Sequence, residues 1–132
     1  VSTKNKIIDY YTNKNLFLSA SIIQKKGSSK FKYKEKVSSK PLTKILDKTI
    51  YKDKQIDFLS IDAEAADYEV LKSLDFKKYK PKLICIEIWQ DQIEEFNIKK
   101  HEIYKFLFNK KYKLVTNLAD NFIFKKIINS LF

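Results

Sequence analysis

The sequence predicts an α/β domain whose sheet is parallel in its middle and ends in an antiparallel hairpin at the C-terminal edge. Three observations carry that expectation. Two short apolar runs, IDFLSI (56–61) and LICIEIW (83–89), have the length and composition of strands buried on both faces. Between them, ADYEVLKSLDF sets Val70, Leu71 and Leu74 on one helical face, with acidic residues early and lysine late, which complements the helix dipole. After them, YKLVTNL and FIFKKII flank a turn at ADN, as the arms of a hairpin do. Strands alternating with helices and then pairing directly are the pattern of a crossover-connected sheet.

The remaining elements follow in chain order. KNKIIDYYT predicts a short helix, and LFLSASII (16–23) a strand. QKKGSSK is a strong turn signal and carries the only glycine, Gly27. FKYKEKV (31–37) alternates apolar and charged residues with period two, so it reads as a strand with one wet face. SSKPLTKILDKTI opens with Ser and Pro, as helix starts do, and continues with Leu42, Ile45 and Leu46. KYKPK breaks the central helix, and NIKKHEIYKFLFNK sets Ile98, Ile103, Phe106 and Leu107 at helical spacing.

Composition bounds what such a chain can do. Its 132 residues, 44% of them hydrophobic, suit one compact domain with a real core, and no repeat or low-complexity linker divides residues 1–132. Methionine is absent, the initiator included, so we expect a segment of a longer protein or a processed chain. No apolar run approaches the ~20 residues of a membrane span, and the N-terminus lacks the pattern of a signal peptide. The net charge of +11 comes from lysine alone, without arginine. Base and phosphate recognition favours the bidentate arginine fork. Lysines spread over the whole chain therefore predict a solubilising surface and no specific nucleic-acid partner. The single Cys85 excludes an intrachain disulfide and fits a cytoplasmic location. Inside LICIEI it is expected to be a small buried hydrophobe.

Chemistry concentrates in SIDAEAAD (60–67). In open α/β sheets, ligands sit outside the carboxyl ends of the parallel strands. Asp62 and Glu64 fall just past the 56–61 run, and Glu87 lies near the end of 83–89. If those strands are neighbours, the three carboxylates converge. Each also has a plain structural reading: a helix cap for Asp62, a first-turn charge for Glu64, a wet strand end for Glu87. Asp67 and Glu69 are expected to be solvated helix charges. His101 is the lone histidine, with no second His or Cys at ligand spacing, so no metal site is expected there. Trp89, Tyr104 and Phe108 either line an acceptor pocket or belong to the core. Neither a nucleophile elbow nor a phosphate loop is present.

The stretch IDFLSIDAEAADYEVLKSLDFKKYKPKLICIEIW resembles the central signature of the FkbM-type methyltransferases. That signature is an apolar strand, then Asp-x-Glu-Gly, an acidic helix carrying EVL, and PK before a strand ending in Glu. The similarity takes in KPLTKILDK upstream and IYKFLFNKKYKLVTNLADNFIFKK downstream, about 31–126 in all. It implies the C-terminal part of a class I, Rossmann-like methyltransferase domain. Such a domain uses S-adenosylmethionine to methylate an oxygen, often on a sugar or natural product, so the implied partner is a small-molecule or glycan acceptor. Asp62 and Glu64 match the signature's Asp and Glu beside the transferred methyl, and Glu87 matches the acidic residue closing the fifth strand. The family's glycine falls at Ala65. Its glycine-rich cofactor loop has no counterpart in a chain with one glycine, so this segment alone is expected to be inactive. Two other classes stay open: DAE as the metal-binding acidic pair of a nucleotide-sugar glycosyltransferase, and a non-catalytic basic module that binds polyanions.

Overall fold

The computed structural model describes residues 1–13, 16–21, 33–64, 66–89, 91, 93 and 97–128. The turn expected around Gly27 and the family-glycine position Ala65 lie outside these residues.

The N-terminal part is a three-stranded antiparallel sheet, order β2-β1-β3, built from β1 (Lys6–Asn13), β2 (Leu16–Ser21) and β3 (Tyr33–Ser39). The short helix expected over KNKIIDYYT is therefore a strand. Its residues explain the correction. Ile7, Ile8, Tyr10, Tyr11 and Thr12 are β-branched or aromatic, and the alternating β3 offers a full-length partner, from Lys6↔Ser39 to Thr12↔Tyr33. Inter-strand pairing outweighs a weak local helical pattern.

The C-terminal part is a four-stranded sheet with two helices against it. After α1 (Leu42–Leu46) come β4 (Phe58–Ile61), α2 (Asp67–Lys72) and β5 (Leu83–Glu87). A 3₁₀ turn at Ile98–Lys100, α3 (Glu102–Asn109), β6 (Tyr112–Leu118) and β7 (Asn121–Lys126) complete it. The order is β4-β5-β7-β6, with β4 and β5 parallel and β7 antiparallel to both its neighbours. The expected hairpin forms, but its second strand inserts beside β5 and leaves β6 at the edge. Among the described residues no helix is long and apolar enough to cross a membrane.

The core lies on the helical face of this sheet. Leu71 from α2, Ile84 and Ile86 from β5, Leu107 from α3 and Tyr112 from β6 are wholly buried. Phe76 stands edge-on to Phe106 and to Tyr112, with centroids 5.7 and 5.8 Å apart, a preferred aromatic geometry. The Tyr112 hydroxyl is buried and donates to the Pro81 carbonyl (2.7 Å). The α1 segment is tied to the end of α2, where Leu42 N–H donates to Ser73 Oγ (3.0 Å) and Thr43 Oγ1 donates to the Ser73 carbonyl (3.1 Å).

Burial on both faces, expected for β4 and β5, does not hold among the described residues. In β5, Ile84 and Ile86 are buried while Leu83, Cys85 and Glu87 are only partly so, and Phe58 in β4 is 54% exposed. Both α2 and α3 cover the same face, so alternate residues of an all-apolar run meet the core and the others do not. Cys85 is accordingly half-buried, with Sγ 3.9 Å from Asn121 Oδ1, and not the enclosed hydrophobe expected.

Candidate active site

At the carboxyl end of β4 the chain turns sharply into α2. Asp62 follows the strand, Glu64 takes a left-handed conformation (φ 47°), and Ala66 N–H donates to the Ala63 carbonyl (3.1 Å). The positive φ of the turn falls on Glu64. A left-handed non-glycine residue is strained and commonest at functional turns.

The helix N-cap is Ala66, without a side-chain cap bond, so Asp62 is not the cap of α2. The local closure comes from Asp67. Its Oδ1 accepts the Ala63 N–H at 2.9 Å, and the residue is only 5% exposed. The solvated helix charge expected at Asp67 is therefore a buried structural carboxylate. A turn of four residues lets the first helical carboxylate reach back to a backbone N–H that would otherwise be lost to both strand and helix.

The parallel register Ile61↔Ile86 continues into Asp62 beside Glu87. As a result, carboxylate oxygens of Asp62, Asp67 and Glu87 lie within 4.8 Å of one another. The convergence anticipated for Asp62 and Glu87 is present. Glu64 stands outside this group, exposed to solvent, although its charge still acts on Glu87. Burial pushes the Glu87 carboxyl up, a hydrogen bond from the Trp89 side chain opposes this, and repulsion from Asp62, Asp67 and Glu64 adds to the rise. Three acidic groups so placed favour a cation, whether a metal ion or a positively charged group of a ligand.

A cleft of about 300 Å³ opens beside these carboxylates. Asp67 and Glu87 form its acidic wall, Tyr68 and Trp89 its aromatic walls, and His101, Glu102 and Ile103 at the start of α3 close it. His101 is the N-cap of α3: its Nδ1 accepts the Ile103 N–H (3.3 Å), so the proton sits on Nε2. Burial holds the imidazole below the usual histidine range, Glu102 opposing this and Lys105 adding to it. Of the three aromatic candidates, Trp89 lines the cleft and the other two do not. Tyr104 and Phe108 stack on each other 6.1 Å apart on α3, with Phe108 exposed. Tyr68 and Glu102 are lining residues that sequence reasoning missed; each occupies the first turn of a helix that starts at the carboxyl edge, which is the signal that could have found them.

The profile of the Methyltransferase FkbM domain matches residues 2–114 of this chain. The chain belongs to the FkbM methyltransferase family. The match begins well before the similarity visible in the motifs, taking in β1, β2 and β3, and it ends within β6. No curated protein and no solved structure matches the chain. The matched span includes the carboxylate edge and the turn between β4 and α2.

Proposed function

We propose that this chain forms the acceptor edge of an S-adenosylmethionine-dependent O-methyltransferase acting on a sugar or natural-product hydroxyl, as the C-terminal part of its catalytic domain. The observation that carries the reading is the meeting of Asp62, Asp67 and Glu87 at the carboxyl end of two parallel strands, beside an aromatic-walled cleft. Such an edge is where open α/β sheets bind ligands.

The residues present suit one end of the cofactor. A sulfonium is a cation, and the crowded carboxylates gain by having one near them. Among the described residues no glycine-rich turn follows a strand to cradle the adenosine. When bound, S-adenosylmethionine supplies an activated methyl group for in-line displacement. This chain's own residues then have positioning tasks, because alignment of the attacking oxygen dominates such a step. Asp62, exposed at the strand end, orients the acceptor hydroxyl and takes its proton, and it would help hold the cofactor's charged end. Glu87, its carboxyl pushed up by burial, hydrogen-bonds the acceptor, and Glu64 contributes charge from the turn. Trp89 and Tyr68 give the apolar face of a sugar ring something to stack on.

The test is transfer of labelled methyl from S-adenosylmethionine to hydroxyl acceptors by the protein as its gene encodes it. Asp62→Asn should keep the fold and cut turnover at least tenfold. Unchanged turnover would remove Asp62 from the chemistry, and transfer only to amines would refute O-methylation.

A further inference from the structure

We infer that the lysine-rich end of the four-stranded sheet, together with the adjoining Ile127 and Ile128, is a docking surface for an anionic lipid bilayer. Three segments meet there: the loop before β5, the end of α3 and the end of β7. Ile127 N–H donates to the Lys111 carbonyl (2.8 Å), and Lys126 N–H donates to the Lys82 carbonyl (2.9 Å). These bonds gather Lys80, Lys82, Lys110, Lys111 and Lys126 around one place. Lys126 Nζ donates to the Lys110 carbonyl (2.6 Å) and lies 4.7 Å from the centroid of the Tyr112 ring. Lys110 Nζ lies 5.5 Å from the centroid of the Phe106 ring. Of the five, Lys82 is paired with Asp57 (2.7 Å). The crowding has an electrostatic signature: burial, then repulsion from Lys80, Lys110 and Lys111, holds the Lys126 ammonium below the usual lysine range. A polyanion laid against this end relieves that repulsion.

The apolar component decides which polyanion. Ile127 is 39% and Ile128 79% exposed, directly after Lys126 in the chain. Two exposed isoleucines gain nothing against a sugar–phosphate backbone, and the chain has no arginine with which to read one. The interfacial zone of a bilayer accepts both features, since headgroup phosphates attract the ammonium groups and the acyl boundary receives the isoleucines. The surface lies at the amino end of β4 and β5, whereas the carboxylates lie at the carboxyl end, about 13 Å away along β5. A docked molecule therefore keeps its cleft open to solvent. This holds whether or not the cleft transfers methyl groups.

The test is co-sedimentation of the 132-residue chain with vesicles of phosphatidylcholine alone and of phosphatidylcholine mixed with phosphatidylglycerol, with duplex DNA as a second probe. Binding is expected to the anionic vesicles and not to phosphatidylcholine alone, weakening as salt rises. A lysine near an anionic surface contributes roughly fivefold to affinity, so replacing Lys80, Lys82, Lys110 and Lys111 together by Gln should cut vesicle binding by well over tenfold. The same change at Lys44, Lys48, Lys52 and Lys54 removes equal charge and should cost far less. Ile128→Ser should weaken vesicle binding and leave any DNA binding unchanged. All nine side chains are exposed, so circular dichroism should show the fold intact in each variant. Equal losses in the two lysine variants would reduce the attraction to diffuse charge and overturn the proposal. So would vesicle binding that ignores lipid charge, no binding to anionic vesicles, or an Ile128→Ser protein that binds them as well as the parent.

Discussion

Glu87→Gln should make this protein more stable at neutral pH. The substitution keeps the shape and an acceptor oxygen for the Trp89 side chain while removing one of three clustered negative charges. At the 4.8 Å that bounds the cluster, each like-charge pair costs about 0.9 kcal/mol in bulk water and about 3.5 at an effective dielectric of about 20. Asp62 is exposed and its pair belongs near the lower figure, whereas Asp67 is buried. Allowing for a weaker bond from Trp89, the net gain is about 1 kcal/mol, or about 4 °C in Tm for a chain of this size. The sign depends on pH. The folded state raises the Glu87 carboxyl above its ordinary 4.5, so the native protein holds a proton that the unfolded chain has already released. The penalty for ionising it is absent below 4.5 and grows as pH rises through the folded value. Urea denaturation of both proteins at pH 7 and at pH 4 checks this. The gain should appear at pH 7 and vanish at pH 4. A variant less stable than the parent at pH 7, or equally improved at both pH values, would refute the picture of crowded charge.

Asp67→Ala should be less stable than Asp67→Asn by about 1 kcal/mol; both remove the charge, but only Asn keeps an acceptor for the Ala63 N–H, and equal stability in denaturant would show that bond to be dispensable. Tyr112→Phe strands the buried Pro81 carbonyl and should cost about 1–2 kcal/mol, seen as a lower urea midpoint at unchanged m-value. His101→Ala should cost about 1 kcal/mol at pH 7.5. Burial lowers the His101 pKa in the fold, so the cap is fully present above 6.5 and is lost as pH falls through the folded value. Thermal melts should therefore show the two proteins converging as pH falls below 6.5, and a constant difference would mean that Nδ1 is not the acceptor.

Much of this architecture was legible because period and length agree in its C-terminal part. FLSI and LICIE are too short for helices and too apolar for loops, and the EVLK and EIYKFLFN segments carry one apolar face each. Once those two strands were adjacent and parallel, the placement of Asp62 beside Glu87 followed from register alone. What stayed hidden depends on contacts distant in sequence. Whether KIIDYYTN becomes helix or strand is decided by a partner 21 to 33 residues later, from Thr12↔Tyr33 to Lys6↔Ser39. Asp67 looked like an ordinary first-turn charge because nothing in its neighbours tells that its oxygen folds back on Ala63. Which strand of the hairpin lies beside β5 is likewise not written into either arm: YKLVTNL and FIFKKII are both amphipathic enough to take the inner place.

That inner place has a consequence for how the chain is made. During synthesis β4, β5 and β6 all leave the ribosome before β7 does. Until residues 121–126 emerge, β5 has paired with only β4, and its other edge, with the backbone groups of Ile84 and Ile86, has no strand to meet. The open side of β5 is covered only when β7 is made, so the nascent chain stays sticky until then. A boundary drawn at residue 114, where the family match stops, cuts off β7 and the last four residues of β6, and leaves the stub of β6 with nothing to hold it to the sheet. Fragments trimmed there should aggregate, while those carried through Lys126 should stay in solution.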